Sequence, residues 1–373
     1  MITNNLSTNF FIEAGNIEGL LAAIKTFELR DDCRSLLCLV AEKDAWDNEN
    51  LKTAFEKSSL SITGGIFPEI IVQGERKQSG TLLIPLKNQL ELALISLGQE
   101  LTEIQKQIEN LSWQMMEEDC SLFVWVDALA PKKVPFLELL FNHFGSYVHY
   151  LGGGAGSLSF QPQPCVIDNN GIHENTAVVA YSKKKMAIGV AHGWSTISEP
   201  FKVTKAINNH LLSLNQRPAL EVYREIVESH AGKKLDEADF FNTAKSYPLG
   251  IAKIDAERII RDPFAIKDNG LLLVDPIQEG EMVCVMHGNI ESLLQGAALA
   301  TQRANSKSNP HQQQLFCIDC ISRVLFMQDE FYKEIETVNS SRQINGALTI
   351  GEIANDGDAY LEMYNKTIVV AKW

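Results

Sequence analysis

Much is missing from this chain of 373 residues, and each absence closes a class of function. No run of eighteen apolar residues occurs, so the sequence offers no helix able to cross a bilayer. The opening stretch, MITNNLSTNFFIEAG, has neither the basic patch nor the continuous apolar segment of a secretory leader. Basic charge is scarce: 33 Lys and Arg stand against 47 Asp and Glu, a formal charge of −14. That balance argues against nucleic acid or an anionic membrane as partner, because both need clustered cations to neutralise phosphate. The one basic run, Lys183-Lys184-Lys185, separates two β-like segments, where a hairpin turn or an edge charge explains it. Catalytic signatures are absent too: there is no G-x-S-x-G, no H-E-x-x-H and no paired metal-ligand spacing. Cys317-Ile318-Asp319-Cys320 is a C-x-x-C, but no second one exists to complete a zinc site. Its first thiol lies in an apolar strand, not at a helix N-terminus where the dipole would activate it. The seven cysteines are an odd number scattered mostly through apolar runs, as expected of reduced, buried thiols in a cytoplasmic protein.

What is present is a well-cored α/β chain, 45% hydrophobic and 21% charged, long enough for two domains. Three segments repeat one design. The apolar strand 36–40, a helix over 48–57 and a strand 61–72 interrupted by Gly64-Gly65 make the first. The second has a strand 122–126 ending at Asp127, a helix over about 134–144, and a strand 147–151 running into Gly152-Gly153-Gly154. In the third, a strand 315–318 ends at Asp319, a helix covers about 327–338, and the next strand starts at Gly346. Continuous apolar strands joined by such helices predict β-α-β crossovers in sheets buried on both faces. Internal duplication would produce this recurrence, and so would any α/β protein. Between the second and third segments the strands 176–181, 186–191 and 201–206 lack intervening helices and read as antiparallel. Helices are expected over 218–230 and 236–246, short strands from 249 to 287, and an amphipathic helix over 289–303. The expected class is therefore α/β, two domains with mixed sheets, β-α-β units and antiparallel strands. The division falls at 1–215 and 216–373, with the boundary anywhere in 215–248.

The C-terminal stretch NGALTIGEIANDGDAYLEMYNKTIVVAKW reads as a β run, a charged turn and a closing strand. It resembles the end of the FIST family (F-box and intracellular signal transduction proteins), with Gly346, Ala347, Thr349, Gly351, Glu352, Ile353, Asn365 and Thr367 at matching places. The family's Gly-Gly-x-Ala-Gly turn is matched by Gly152-Gly153-Gly154-Ala155-Gly156, and its Cys-x-x-Arg turn by Cys320-Ile321-Ser322-Arg323. An Arg-containing strand near Arg258 and Arg261 and the approach from Gly280 to Val283 extend the resemblance over most of the chain. Two departures stand out: Ser322 replaces the commoner glycine, and Gly64-Gly65-Ile66-Phe67-Pro68 replaces a Gly-Cys-Ser/Thr turn. The resemblance implies a sensor and not an enzyme. Its ligand would be a small molecule such as an amino acid, reported to a separate signalling protein such as a histidine kinase or a cyclic-dinucleotide enzyme. Some family members resemble nitric-oxide-sensing haemoproteins, which makes haem a rival cofactor; none of the eight histidines has a diagnostic context for it. An enzyme of unknown reaction is a further rival.

Each candidate contact has a bland alternative. Gly152, Gly153 and Gly154 would bare their amides to a carboxylate or phosphate, or else mark a close crossing of backbones. Arg323, just past a strand end, suits bidentate capture of a carboxylate, or a structural ion pair with Asp319 or Glu352. Glu352 suits a ligand ammonium, with Cys320 and Gly351 beside it in one concave pocket. Asp356 reads as a turn cap. His287, between a strand and a helix capped by Asn289, is either a ligand contact or an imidazole satisfied by nearby backbone. His192-Gly193-Trp194 leaves a β segment in the same way.

Overall fold

The apolar strands seen in the sequence are the centres of three sheets. Ser35–Ala41, Ser121–Asp127 and Leu315–Cys320 each run parallel to a second strand, respectively Ser61–Phe67, His149–Ala155 and Asn345–Thr349. The computed structural model describes residues 9–44, 48–111, 113, 120–253, 257–309, 312, 314–339, 341, 343–355 and 360–373. Asp356, read above as a turn cap, lies outside them. The chain is α/β, with mixed sheets, β-α-β units and antiparallel strands.

Alternation of side chains assigns each strand to two cores. Leu37 and Leu39, Phe123 and Trp125, and Phe316 and Ile318 all join one central core between the sheets. Their neighbours turn outward onto helices. Leu36, Cys38 and Val40 pack in a second core, Leu122, Val124 and Val126 in a third, and Cys317 in a fourth.

The recurrence proves to be a threefold repeat of eight elements: strand, helix, strand, helix, strand, two-stranded hairpin, strand. The first copy runs from Phe10–Ile12 to Thr81–Leu86, the second from Glu91–Ser96 to Thr176–Ser182, the third from Ala187–Ala191 to Ile368–Lys372. Every copy builds a six-stranded sheet in the same order, and every sheet is finished by a hairpin from another copy. The first copy gives Glu69–Val72 and Glu75–Lys77 to the third sheet, and the third gives Glu352–Asn355 and Glu362–Tyr364 to the second. The second gives Val166–Asp168 and Gly171–His173 to the first, closing the cycle. Strands from either side of residue 215 thus share sheets.

One glycine per copy occupies the same place. Gly64, Gly152 and Gly346 pair with Cys38, Val124 and Cys317 on one side and with Ile167, Ile353 and Ile71 of the donated hairpins on the other. A Cβ on each would stand 1.9, 1.7 and 1.8 Å from the carbonyl oxygen of its partner Cys38, Val124 or Cys317. These glycines lie inside strands, not in turns, and the second copy's equivalent is Gly152.

Between the first strand of the third copy and its helix Ile290–Lys307 an entire additional sheet is inserted. Its nine strands, from Ser195–Thr196 to Met282–His287, pair antiparallel throughout, and Ala219–Ala231 and Phe240–Ala244 are its helices. Helix Ile290–Lys307 starts at Asn289, whose side chain accepts from Ser292 N in a capping box. Two local readings change. The stretch after Cys320 is helical at once (Ile321–Met327, then Tyr332–Val338), because the chain turns directly from strand to helix; Arg323 therefore sits in a helix, not a turn. The strands flanking Lys183-Lys184-Lys185 belong to different sheets, so this basic run is a crossing between sheets, not a hairpin turn.

Candidate functional site

The three copies can be compared position by position, and the third breaks the pattern. Asp319, two residues beyond Cys317, stands where the first and second copies hold Val40 and Val126. Glu352, paired with Gly153, stands where the others hold Val166, paired with Gly65, and Ile70, paired with Ala347. Both carboxyls are completely buried. Burying a carboxylate costs several kcal/mol unless it is paired or protonated, so packing alone does not ask for acids here.

Arg323 answers part of this charge. Its Nε lies 2.8 Å from Glu334 Oε1 and 3.3 Å from Asp319 Oδ1. Its Nη1 donates to the carbonyls of His192 (2.6 Å) and Lys366 (3.3 Å), and its Nη2 to Leu293 O at 3.1 Å. Asp319 Oδ1 also accepts from Cys320 N. The remaining oxygens, Asp319 Oδ2 and Glu334 Oε2, have no conventional donor. Burial, followed by the Glu334 charge, holds Asp319 well above the usual carboxylate range.

Glu352 stands on the other side of Cys320. It accepts from Thr349 Oγ1 at 3.0 Å and from Thr367 N at 3.2 Å, but burial outweighs these donors and pushes it up to about 8. The same burial, with Glu352 adjacent, raises the Cys320 thiol. A carboxyl whose folded value lies above its ordinary 4.5 stabilises the fold below that value and loses the contribution as pH rises through about 8. Glu352→Gln should therefore flatten the alkaline limb of stability: melting curves from about pH 5 to about pH 9 should converge at the acid end. The variant should be ahead by about 1–3 kcal/mol at the alkaline end, the cost of a poorly compensated buried charge. His192 acts at the opposite limb. Burial first, then Arg323, Arg303 and Arg258, push it down to about 4 against the pull of Glu257. Its stabilising neutral form is lost as pH falls from 6.5 through about 4.

The inserted sheet closes over this cluster through polar contacts. Lys366, in a positive-φ turn, sends its Nζ to Asp262 Oδ2 (3.0 Å) and Lys245 O (3.0 Å) and lies 5.2 Å from the Trp194 ring centroid. Trp194 Nε1 donates to Lys366 O, Asn365 Nδ2 to Asp275 Oδ2, and Lys133 of the second copy reaches Asp275 Oδ1 at 2.8 Å. Burial lifts Asp262 despite Lys366, whereas Lys133 and Arg261 overcome burial and hold Asp275 low.

Seven of the eight residues singled out from the sequence come together here. Gly152 and Gly153 pair with Ile353 and Glu352, and Gly154 N donates to Gly351 O. Cys320, electrostatically coupled to Glu352, caps the helix Ile321–Met327 that carries Arg323. Their state differs from an open pocket. The glycine strand is wholly buried with its amides in the ladder, and the N–H groups of Arg323 are taken up by protein acceptors. The structural pairing with Asp319 is thus present, joined by Glu334. His287 stands apart, its ring packed on His230 and Tyr247. Glu334, Lys366, Asp262 and Thr349 went unremarked as site residues in the sequence; the cue was there in part, as charged residues in otherwise apolar runs. Among the described residues no three His, Cys, Asp or Glu side chains group as a metal site, and no helix is long and apolar enough to cross a membrane. All seven cysteines are free and buried.

Compared with known families, residues 36–217 match the FIST N domain and residues 219–355 match the FIST C domain. No curated protein matches the chain.

Proposed function

We propose that this chain, which belongs to the FIST family, is a sensor that binds a small charged metabolite at the seam between its inserted sheet and its third repeat. FIST domains are associated with sensory roles in signal transduction, and this reading gives that role a place in the fold. One observation carries it: acids and their partners occur where the other two copies have valine or isoleucine, and only in the copy on which the insert closes. Polar, hydrogen-bonded seams of this kind permit one unit to move on another far more readily than apolar cores do. The ligand class that suits the seam is an amino acid. Its carboxylate would take over donors of Arg323 and Lys366, and its ammonium would take the Glu352 carboxylate. Binding shifts the insert between two placements, and a separate signalling protein, a histidine kinase or a cyclic-dinucleotide enzyme, reads the difference.

A thermal-shift screen of the free amino acids and their derivatives tests this, since a ligand that prefers the folded state raises its melting temperature. At least one should do so on the wild type and bind at least tenfold more weakly to Glu352→Gln, which keeps the size of the side chain. A hit indifferent to Glu352→Gln, or a panel without a hit, counts against the seam as the site.

A further inference from the structure

The inserted sheet brings together two histidines that the seam does not use. His230 stands in the last turn of the helix Ala219–Ala231, His287 ends the strand Met282–His287, and Tyr247 precedes the strand Leu249–Ile251. The imidazole centroids are 4.6 Å apart with planes tilted by 45°, and the Tyr247 ring lies 4.9 Å from His287. Tyr247 Oη lies 3.1 Å from His230 Nδ1. Tyr247 is buried, His287 half-buried and His230 exposed, so the trio is anchored at one end and open to solvent at the other.

We infer that His230 and His287 form a binding site for a borderline-soft divalent cation of the Zn2+ or Cu2+ class, with Tyr247 as the positioning residue. Two imidazoles that share such an ion, each at about 2.0–2.1 Å, have ring centroids about 5 Å apart, close to the spacing already present. The contact with Tyr247 Oη engages Nδ1 of His230; in the tautomer whose Nδ1–H donates to that oxygen, Nε2 keeps its lone pair for the ion, the arrangement by which an outer partner orients a ligating histidine. Among the described residues, no hydrogen bond to another side chain or carbonyl occupies either ring nitrogen of His287. Water on the exposed side completes the coordination, so the site remains open to a further ligand.

The test is a calorimetric titration of the full chain with Zn2+ after removal of bound metal, repeated with Co2+ to read coordination from its visible bands. One ion per chain should bind. His230→Ala and His287→Ala should each weaken it at least tenfold and abolish the low-symmetry Co2+ spectrum. Tyr247→Phe, which keeps the ring, should weaken it several-fold, and removal of the exposed His143 should change nothing. If His287→Ala disturbs folding, His287→Gln, checked by circular dichroism, takes its place. Unchanged Zn2+ affinity in both histidine variants, or wild-type affinity no better than that of the double variant, overturns the inference.

Discussion

Gly152→Ala is expected to yield no folded protein, and Gly64→Ala and Gly346→Ala are expected to do the same. The added methyl would stand 1.7 Å from Val124 O at Gly152, and 1.9 and 1.8 Å from the matching oxygens at the other two. The obstacle in every case is backbone of a buried stretch of the neighbouring strand, not the end of a flexible side chain. Relief requires the parallel pair to separate, which breaks both its ladder and the donated hairpin. Point changes above about 4–5 kcal/mol are exceptional and come from clashes or buried charges of this kind. A loss of that size rivals the whole stability of an ordinary domain, about 5–15 kcal/mol. Gly232→Ala provides the contrast. It caps the helix Ala219–Ala231 at φ +65° with nothing within 4 Å, so it carries only the left-handed penalty of about 1 kcal/mol. Soluble yield and circular dichroism of the four variants check this; a folded Gly152→Ala protein would show that the sheets yield more than their packing implies.

Arg323→Met should be the most damaging change at the seam. It leaves Glu334 buried without its cation and strips donors from the carbonyls of His192, Lys366 and Leu293. Removing one partner of a buried ion pair costs about 3–5 kcal/mol, because the other charge stays in a dry place. The second change Glu334→Gln removes that stranded charge, so the double variant should regain about half the loss, a coupling visible in a double-mutant cycle. Urea unfolding of the ligand-free proteins measures both. An Arg323→Met chain as stable as wild type would mean that Arg323 does not tie the ligand-free seam together, which the geometry gives it every reason to do.

The repeats were legible from sequence because burial on both faces leaves a plain mark, an uninterrupted apolar run such as Leu36-Leu37-Cys38-Leu39-Val40, and because only glycine is tolerated opposite it. The cyclic exchange of hairpins was not legible. Glu69–Val72 looks like a continuation of Ser61–Phe67 after Pro68, and nothing local says that it leaves for another sheet. Register is set by distant partners, and alternation says which face is buried but not against what. The cluster around Cys320 was legible as a set of positions, since Arg323, Glu352 and the glycines were all marked. Its closed state was not, because the carbonyl of His192 lies far along the chain and Glu334, 11 residues from Arg323, sits on a separate helix with no spacing signal.

The cyclic exchange also bears on how the chain is made. A ribosome delivers the first copy early, yet the outer hairpin of its sheet belongs to the second copy, and the second sheet waits for Glu352–Asn355 and Glu362–Tyr364. Ala187–Ala191 likewise has no strand to join until Ile368–Lys372, far later in the chain, emerges. Nascent chains of this protein must therefore carry open sheet edges while the later repeats are still being made, with contacts of very high sequence separation forming last. Such edges recruit other strands if left bare, which makes this protein a natural client for whatever shields nascent chains in its cell.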